Sequence, residues 1–276
     1  MAVYTTIDDP SAFFQIMLYV GNQGSDVAAG STASFTFSGN SNLQPDWFWT
    51  KGRNYANDFT AYDSTLGLGS GGDTENGALS PCTNSAEGAA NNYASYGYIS
   101  AFDSDGFTGT SGNIGDPSGA VNRAVWGYAS QCIGLGWKAN GGTTSSVSAS
   151  GSGNGAVNAC TYQANTTSGF SIISYTGEND EISNTEHTKV THGLSSAPTF
   201  VIIKQSDGTN SWVVLGTNMV TPPASGGFGD YHLHLDNSDA RSGTVYTSST
   251  APDASYVYVG NDDIVNDNGD AYMMYA

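Results

Sequence analysis

Phe14-Gln-Ile-Met-Leu-Tyr-Val-Gly21 and Pro45-Asp-Trp-Phe-Trp-Thr-Lys51 decide how this chain is read, because both return. The first comes back as Phe170-Ser-Ile-Ile-Ser-Tyr-Thr-Gly177, the second as Pro198-Thr-Phe-Val-Ile-Ile-Lys204. The second pair is offset by 153 residues (198 minus 45, and 204 minus 51). Phe59 and Tyr62 fall on Trp212 and Leu215 at that same offset. Internal repetition takes precedence over residue-by-residue reading, since missing it misassigns the whole fold. The repeated pieces are short runs of β-branched and aromatic residues bounded by Gly, Pro and Asn, which are strand signals. They predict an all-β protein of two tandem, homologous β-sandwich domains of jelly-roll-like form. Two copies of a small β module suit a binding or building part better than one catalytic cleft.

Composition agrees. Hydrophobic residues make up 38% and charged residues 12% of the 276, while 16 Tyr, 11 Phe and 5 Trp supply core material that a disordered chain lacks. The polarity comes from Gly, Ser, Thr and Asn, which suit many tight turns between short strands. Seven basic against 25 acidic side chains give a net charge of −18, which repels phosphate and argues against nucleic acid as a partner. The same charge repels anionic membranes. Cys82, Cys132 and Cys160 are too few, and odd in number, for a disulfide framework, so free thiols and assembly in a reducing cytosol are expected. No basic-then-apolar leader and no membrane-length apolar run is present.

Along the chain, residues 1–12 read as an N-terminal leader, 13–140 as the first repeat, 141–166 as a Gly/Ser/Thr-rich linker and 167–276 as the second repeat. Strands are expected at 13–20, 34–37, 46–51, 93–102 and 132–138 in the first repeat. The second should hold strands at 170–176, 188–191, 199–204, 211–216, 231–235, 244–247, 255–259 and 271–275. Gly67–Asn92 reads as a long irregular excursion, and Asp8–Phe14 as one short helical turn with Pro10 at its first position. The closing Asp270–Ala276 can be set against Ser130–Gly136 or against Arg123–Ala129.

Several stretches together resemble structural proteins of marine bacteriophages that carry a repeated domain of unassigned function. They are Tyr4-Thr-Thr-Ile-Asp-Asp-Pro-Ser-Ala-Phe-Phe-Gln15, Gln44-Pro-Asp-Trp-Phe-Trp-Thr-Lys-Gly-Arg-Asn54, Ser100-Ala-Phe-Asp-Ser-Asp-Gly-Phe107 and Ile133-Gly-Leu-Gly-Trp-Lys-Ala-Asn-Gly-Gly142. Later come Gln163–Gly177, Thr191-His-Gly-Leu-Ser-Ser-Ala-Pro198 and Ser249-Thr-Ala-Pro252. The resemblance covers nearly the whole chain in order. It implies a virion protein assembled in the host cytoplasm and a β-rich fold, and it brings no catalytic residues. The expected role is a tail-fibre or tail-appendage subunit contributing to host-surface recognition. The alternative is a capsid-decoration or knob-like head protein. Implied partners are other virion proteins, further copies of the chain and a host-surface glycan or protein.

Candidate chemistry is sparse. His232 and His234 share one face of a strand and could hold a metal, but no third ligand stands at a helpful spacing, so an exposed polar face opposite Tyr231, Leu233 and Leu235 is expected instead. His192 reads as a strand-end residue bonding backbone, and His187 with Glu186 as solvated. Asp103-Ser-Asp-Gly106 and Asn261–Asp270 carry calcium-like acids without the closing Glu of an EF-hand, and Asp or Asn before Gly is what tight turns need. Glu75, Glu87, Glu178, Glu181 and Glu186 include no evident catalytic pair, and no nucleophile or phosphate-loop motif is present. No enzyme activity and no cofactor are therefore expected. Trp47 and Trp49 are assigned to one core face, with Trp126, Trp137 and Trp212 the remaining indoles. Tyr93, Tyr96 and Tyr98 are the candidates for a ligand-contact surface, since tyrosine gives large contact area at low entropy cost.

Overall fold

The computed structural model describes residues 7–21, 30–54, 58–68, 77–88, 97–111, 131–179, 182–183, 185–217, 219, 228–240, 242–243, 246–247 and 250–276. It is all-β, with antiparallel sheets throughout, and divides into two compact units, Met1–Gly142 and Thr143–Ala276.

The first unit opens on a 3-10 turn, Pro10–Ala12, capped by Asp9, whose carboxylate accepts the Ser11 amide at 2.9 Å. Its strands are β1 (Phe14–Val20), β2 (Thr32–Phe35), β3 (Trp47–Gly52), β4 (Thr60–Asp63), β5 (Ala78–Leu79), β6 (Tyr98–Asp103), β7 (Gly106–Thr110) and β8 (Gln131–Trp137). One sheet has the order β1-β8-β3-β4-β5, the other β2-β7-β6. Alternation along β1 sends Gln15, Met17 and Tyr19 inward. Met17, Tyr19, Phe48, Tyr62 and Cys132 from the larger sheet meet Ile99 and Phe107 from the smaller one, with Phe37 and Leu43 closing the core. The rings of Phe48 and Phe107 lie 4.6 Å apart across it. Those rings fit because β8 alternates Cys132-x-Gly134-x-Gly136 on the same face. A Cβ at Gly136 would stand 2.7 Å from the Phe37 ring, and one at Gly134 would run into Phe48.

Asp46 ties the end of this unit to its sheet. Its buried carboxylate accepts the amides of Ala139 (2.7 Å), Gly141 (2.8 Å) and Gly142 (2.7 Å) and the Ser64 hydroxyl (2.9 Å). Charged acceptors of this kind make the stronger class of hydrogen bond.

The second unit holds β9 (Ser145–Val147), β10 (Cys160–Asn165), β11 (Phe170–Thr176), β12 (Thr188–Thr191), β13 (Phe200–Gln205), β14 (Val213–Gly216), β15 (His232–His234), β16 (Tyr256–Val259), a short helix α1 (Asp263–Asn266) and β17 (Ala271–Tyr275). Its large sheet runs β15-β14-β13-β17-β11-β10-β9, and β12 pairs with β16. Ile173, Tyr175, Val201, Ile203, Val213, Leu215 and Met274 pack against Val190, Val257 and Val259 to form its core.

Both units string their large sheets in one order, β1-β8-β3-β4-β5 in the first and β11-β17-β13-β14-β15 in the second. The registers agree as well. Leu135 lies opposite Ile16 and Trp49, and Tyr275 lies opposite Ile172 and Ile202. Strands β3 and β13 begin 153 residues apart (200 minus 47), as do β4 and β14 (213 minus 60). Leu135 and Tyr275 are offset by 140, which is the offset that sets Asp270–Ala276 on Ser130–Gly136.

Several expectations need correction. Residues 141–166 are not simply a linker, for they contain β9 and β10, which pair with each other and extend the second unit's sheet past β11. The stretch between them is held too, with a bridge between Ser150 and Val157 and an Asn158 amide bonded to Lys189 O at 2.9 Å. Strands β4, β5 and β7 arise where none was expected; β5 lies within the supposed excursion Gly67–Asn92. Of 244–247, Tyr246 and Thr247 form a turn and the other two lie outside the described residues. Trp47 and Trp49 do share a face, but it is the one turned away from the sandwich core, since Phe48 between them points inward.

Candidate interaction surface

The face of the first unit's large sheet that points away from its core is aromatic and apolar. Trp47 packs edge-on against Trp49 (5.0 Å between ring centres) and at a tilt against Trp137 (4.9 Å), and Phe14 lies 5.0 Å from Trp137. Phe59 sits 5.8 Å from Trp49, with the Lys51 ammonium 5.3 Å above its ring. This layer continues to the sheet edge through β1. Phe14, Ile16, Leu18 and Val20 stand exposed there, at 36%, 55%, 64% and 59%. A contiguous exposed apolar row is unusual on a free surface and marks a contact site.

Among the described residues no strand pairs with the outer side of β1. In the second unit the corresponding strand β11 is closed by β10, with Cys160 to Asn165 set antiparallel against Tyr175 to Phe170. The consequence shows in burial: Ile172 is fully buried where Ile16 is not.

A polar cleft of about 300 Å³ occupies the second unit, lined by Gly151, Ser152, Gly153, Thr176, Gly177, Glu178, Asn268 and Gly269. The buried Asn266 Oδ1 accepts the Glu178 amide at 3.0 Å and so fixes the loop that carries this carboxyl. Burial pushes the Glu178 carboxyl above its usual range. Among the described residues Glu178 is the one ionisable side chain lining the cleft.

The other sequence candidates take structural places. His232 and His234 share a face, their ring centres 4.9 Å apart. That face points inward, contrary to expectation: His232 is buried against Tyr246 (4.4 Å), and it is Leu233 and Leu235 that are exposed. The Asn237 amide donates to His234 Nδ1 at 3.0 Å. Among the described residues no three His, Cys, Asp or Glu side chains converge as a metal site. His192 Nδ1 accepts the Leu194 amide (3.0 Å), which leaves the proton on Nε2 to donate to Asp253 O (3.1 Å). His187 is not simply solvated, for its ring packs edge-on to Tyr258 at 4.7 Å.

The two acidic turns are built as turns. Asp105 accepts the Leu43 amide (3.1 Å), Asp103 the Thr108 hydroxyl (2.7 Å), and Gly106 at φ 114° closes the β6–β7 hairpin. Asp262 caps α1 through the Ile264 amide (3.0 Å), Asp263 accepts from Asn179 (3.0 Å), Asp267 from the Asn268 amide (2.9 Å) and Asp270 from Gln205. Tyr98 is half-buried on β6 and packs against the first unit's core rather than presenting a contact surface. Tyr93, Tyr96, Trp126, Glu75 and Glu181 lie outside the described residues. The three cysteines are free thiols.

The signal for the open apolar edge was present in Phe14–Val20, whose seven residues carry no charge on either face. By sequence alone the run reads as a buried strand, because apolar residues on both faces of a strand ordinarily mean cover on both. A model of a domain of unknown function (DUF7483) matches residues 9–276 of the chain. No curated protein and no solved structure matches it.

Proposed function

We propose, for a chain that belongs to the DUF7483 family of domains of unknown function, the role of a bacteriophage structural protein. The reading is a tail-fibre or tail-appendage subunit that contributes to host-surface recognition through many weak contacts. The observation that carries it is the exposed apolar strand β1 at the sheet edge of the first unit, where the counterpart β11 of the second unit is covered by β10. A module repeated with one edge finished and one edge bare suits a part that is completed by assembly. The common strand order and register support two tandem copies of one ancestral sandwich. A jelly-roll-like form is supported by the nesting of β1 beside β8 and β2 beside β7 over the strands between them. The sequence resemblance to marine phage proteins supplies the particle.

Binding to the host then comes from repetition, since effective concentration lets weak sites add. Particles lacking this chain test the reading. Slowed adsorption to host cells with heads intact is the expected result. Normal adsorption with fragile heads would overturn it in favour of capsid decoration. Release of reducing sugar from host glycans by the purified chain would overturn both structural roles.

A further inference from the structure

We infer that β1 is a self-pairing edge: it joins antiparallel to β1 of a second copy of this chain and makes one sheet continuous across the pair. The geometry of the strand supports this from three sides.

Among the described residues no strand takes up the backbone on this side. The Lys138 amide donates to Phe13 O at 2.9 Å, so hydrogen-bonding alternation turns Gln15, Met17 and Tyr19 toward β8. The N–H and C=O groups of Phe14, Ile16, Leu18 and Val20 therefore point off the sheet. In the second unit the matching alternation is filled: Ser171 bonds inward to Ala276 O at 2.8 Å, and Thr176 bonds outward to Ala159 O at 3.0 Å. Soluble proteins guard such edges with Pro, Lys or a bulge. Strand β1 has none of these, and its register with β8 is unbroken.

The side chains are self-complementary. A two-fold axis at Met17 sets Phe14 opposite Val20 and Ile16 opposite Leu18 of the mate. Both partners then present their exposed rows on the same face, so apolar meets apolar, and the inward residues Gln15 and Tyr19 also face one another.

Charge favours a second copy in this orientation. The chain carries −18, yet β1 carries no charge, so this is a place where two copies can approach without opposing like charges. Lys51, cross-strand from Ile133, stands level with Leu18, and Arg53, whose amide bonds to Gln131 O at 2.6 Å, stands level with Val20. Before Phe14 lie Asp8 and Asp9, outnumbering Lys138. An antiparallel pair sets the half of one copy that carries Lys51 and Arg53 toward Asp8 and Asp9 of the other.

The inference stands apart from the virion role: a monomeric chain would overturn the pairing and leave that role to the adsorption test. Sedimentation of the full chain over a range of concentrations is the measurement. Wild type is expected to form a reversible dimer, and Ile16→Lys and Leu18→Lys to weaken it by roughly 100-fold, because each buries an ammonium in the new contact. Phe200→Lys, on an exposed apolar residue of the second unit, should leave the dimer intact. Amide exchange on wild type guards against misfolded variants: Ile16 and Leu18 should gain protection as concentration rises. A monomer at every concentration, a dimer that survives both β1 variants, or protection of Ile16 and Leu18 that appears only when a different protein is added would each overturn self-pairing.

Discussion

Lys51 and Lys204 end the two similar runs that begin with Pro45 and Pro198, and their surroundings give them different chemistry. Lys51 rides over the Phe59 ring. Lys204 is fully buried, and its ammonium donates to Gln205 O (2.5 Å) and Gly208 O (2.9 Å). Burial lowers its pKa from 10.5 to about 8, with Asp236 and Asp207 pulling the other way. The fold therefore binds the proton less well than the unfolded chain does. Between about pH 8 and 10.5 the unfolded chain holds more protons, so the lysine's contribution to stability rises with pH across that window and is flat below it. Tyr246 and Tyr258, pushed up to about 12, act in the opposite sense above pH 10, where tyrosines ionise first in the unfolded chain. The difference between wild type and Lys204→Met isolates the lysine. Urea unfolding should show that difference moving in favour of wild type by roughly 2 kcal/mol as pH climbs through the window. A difference that stays constant with pH would show that Lys204 titrates normally.

Strand β8 shows how much one element asks of its smallest residues. Gly134 and Gly136 leave room for Phe48 and Phe37 on the core side, while Ile133, Leu135 and Trp137 build the opposite face. Gly136→Ala places a methyl 2.7 Å from the Phe37 ring and 3.3 Å from Leu43, so the core must shift. A loss of about 1–3 kcal/mol in urea unfolding is expected, and an unchanged midpoint would show that the two sheets are less tightly packed than described. Elements with strong alternation could be read directly: the expected 170–176 and 188–191 coincide with β11 and β12, and Asp9–Pro10 marked the capped turn. Strand β9 was hidden because Ser145-Ser-Val147 is short and mostly polar, and β10 because Cys160-Thr-Tyr-Gln-Ala-Asn165, although it alternates, follows directly on a Gly- and Ser-rich stretch. They are strands because of the sheet edge they extend, which is a tertiary cause. The histidines of β15 failed for the same reason. Their spacing put them on one face, but which face looks inward is decided by Tyr246 and by the pairing with Val213 and Leu215.

The molecule as a whole is two renderings of one strand order, separated at Gly142 and Thr143, with extra strands on the second that the first lacks among its described residues. The all-β class was readable because Phe14–Gly21 and Pro45–Lys51, and the similar runs Phe170–Gly177 and Pro198–Lys204, carry strand residues between Gly and Pro. The site was not, because exposure of an uncharged strand is a property of its neighbours rather than of its residues. A part whose edge strand β1 is apolar and, among the described residues, uncovered belongs in an assembly, and the phage particle is the assembly proposed. Mass spectrometry of purified particles from the source of this chain tests that most directly. The account expects the chain in the particle, in fixed ratio to the other structural proteins and enriched in the tail fraction. Its presence in the lysate together with its absence from the particle would contradict the account.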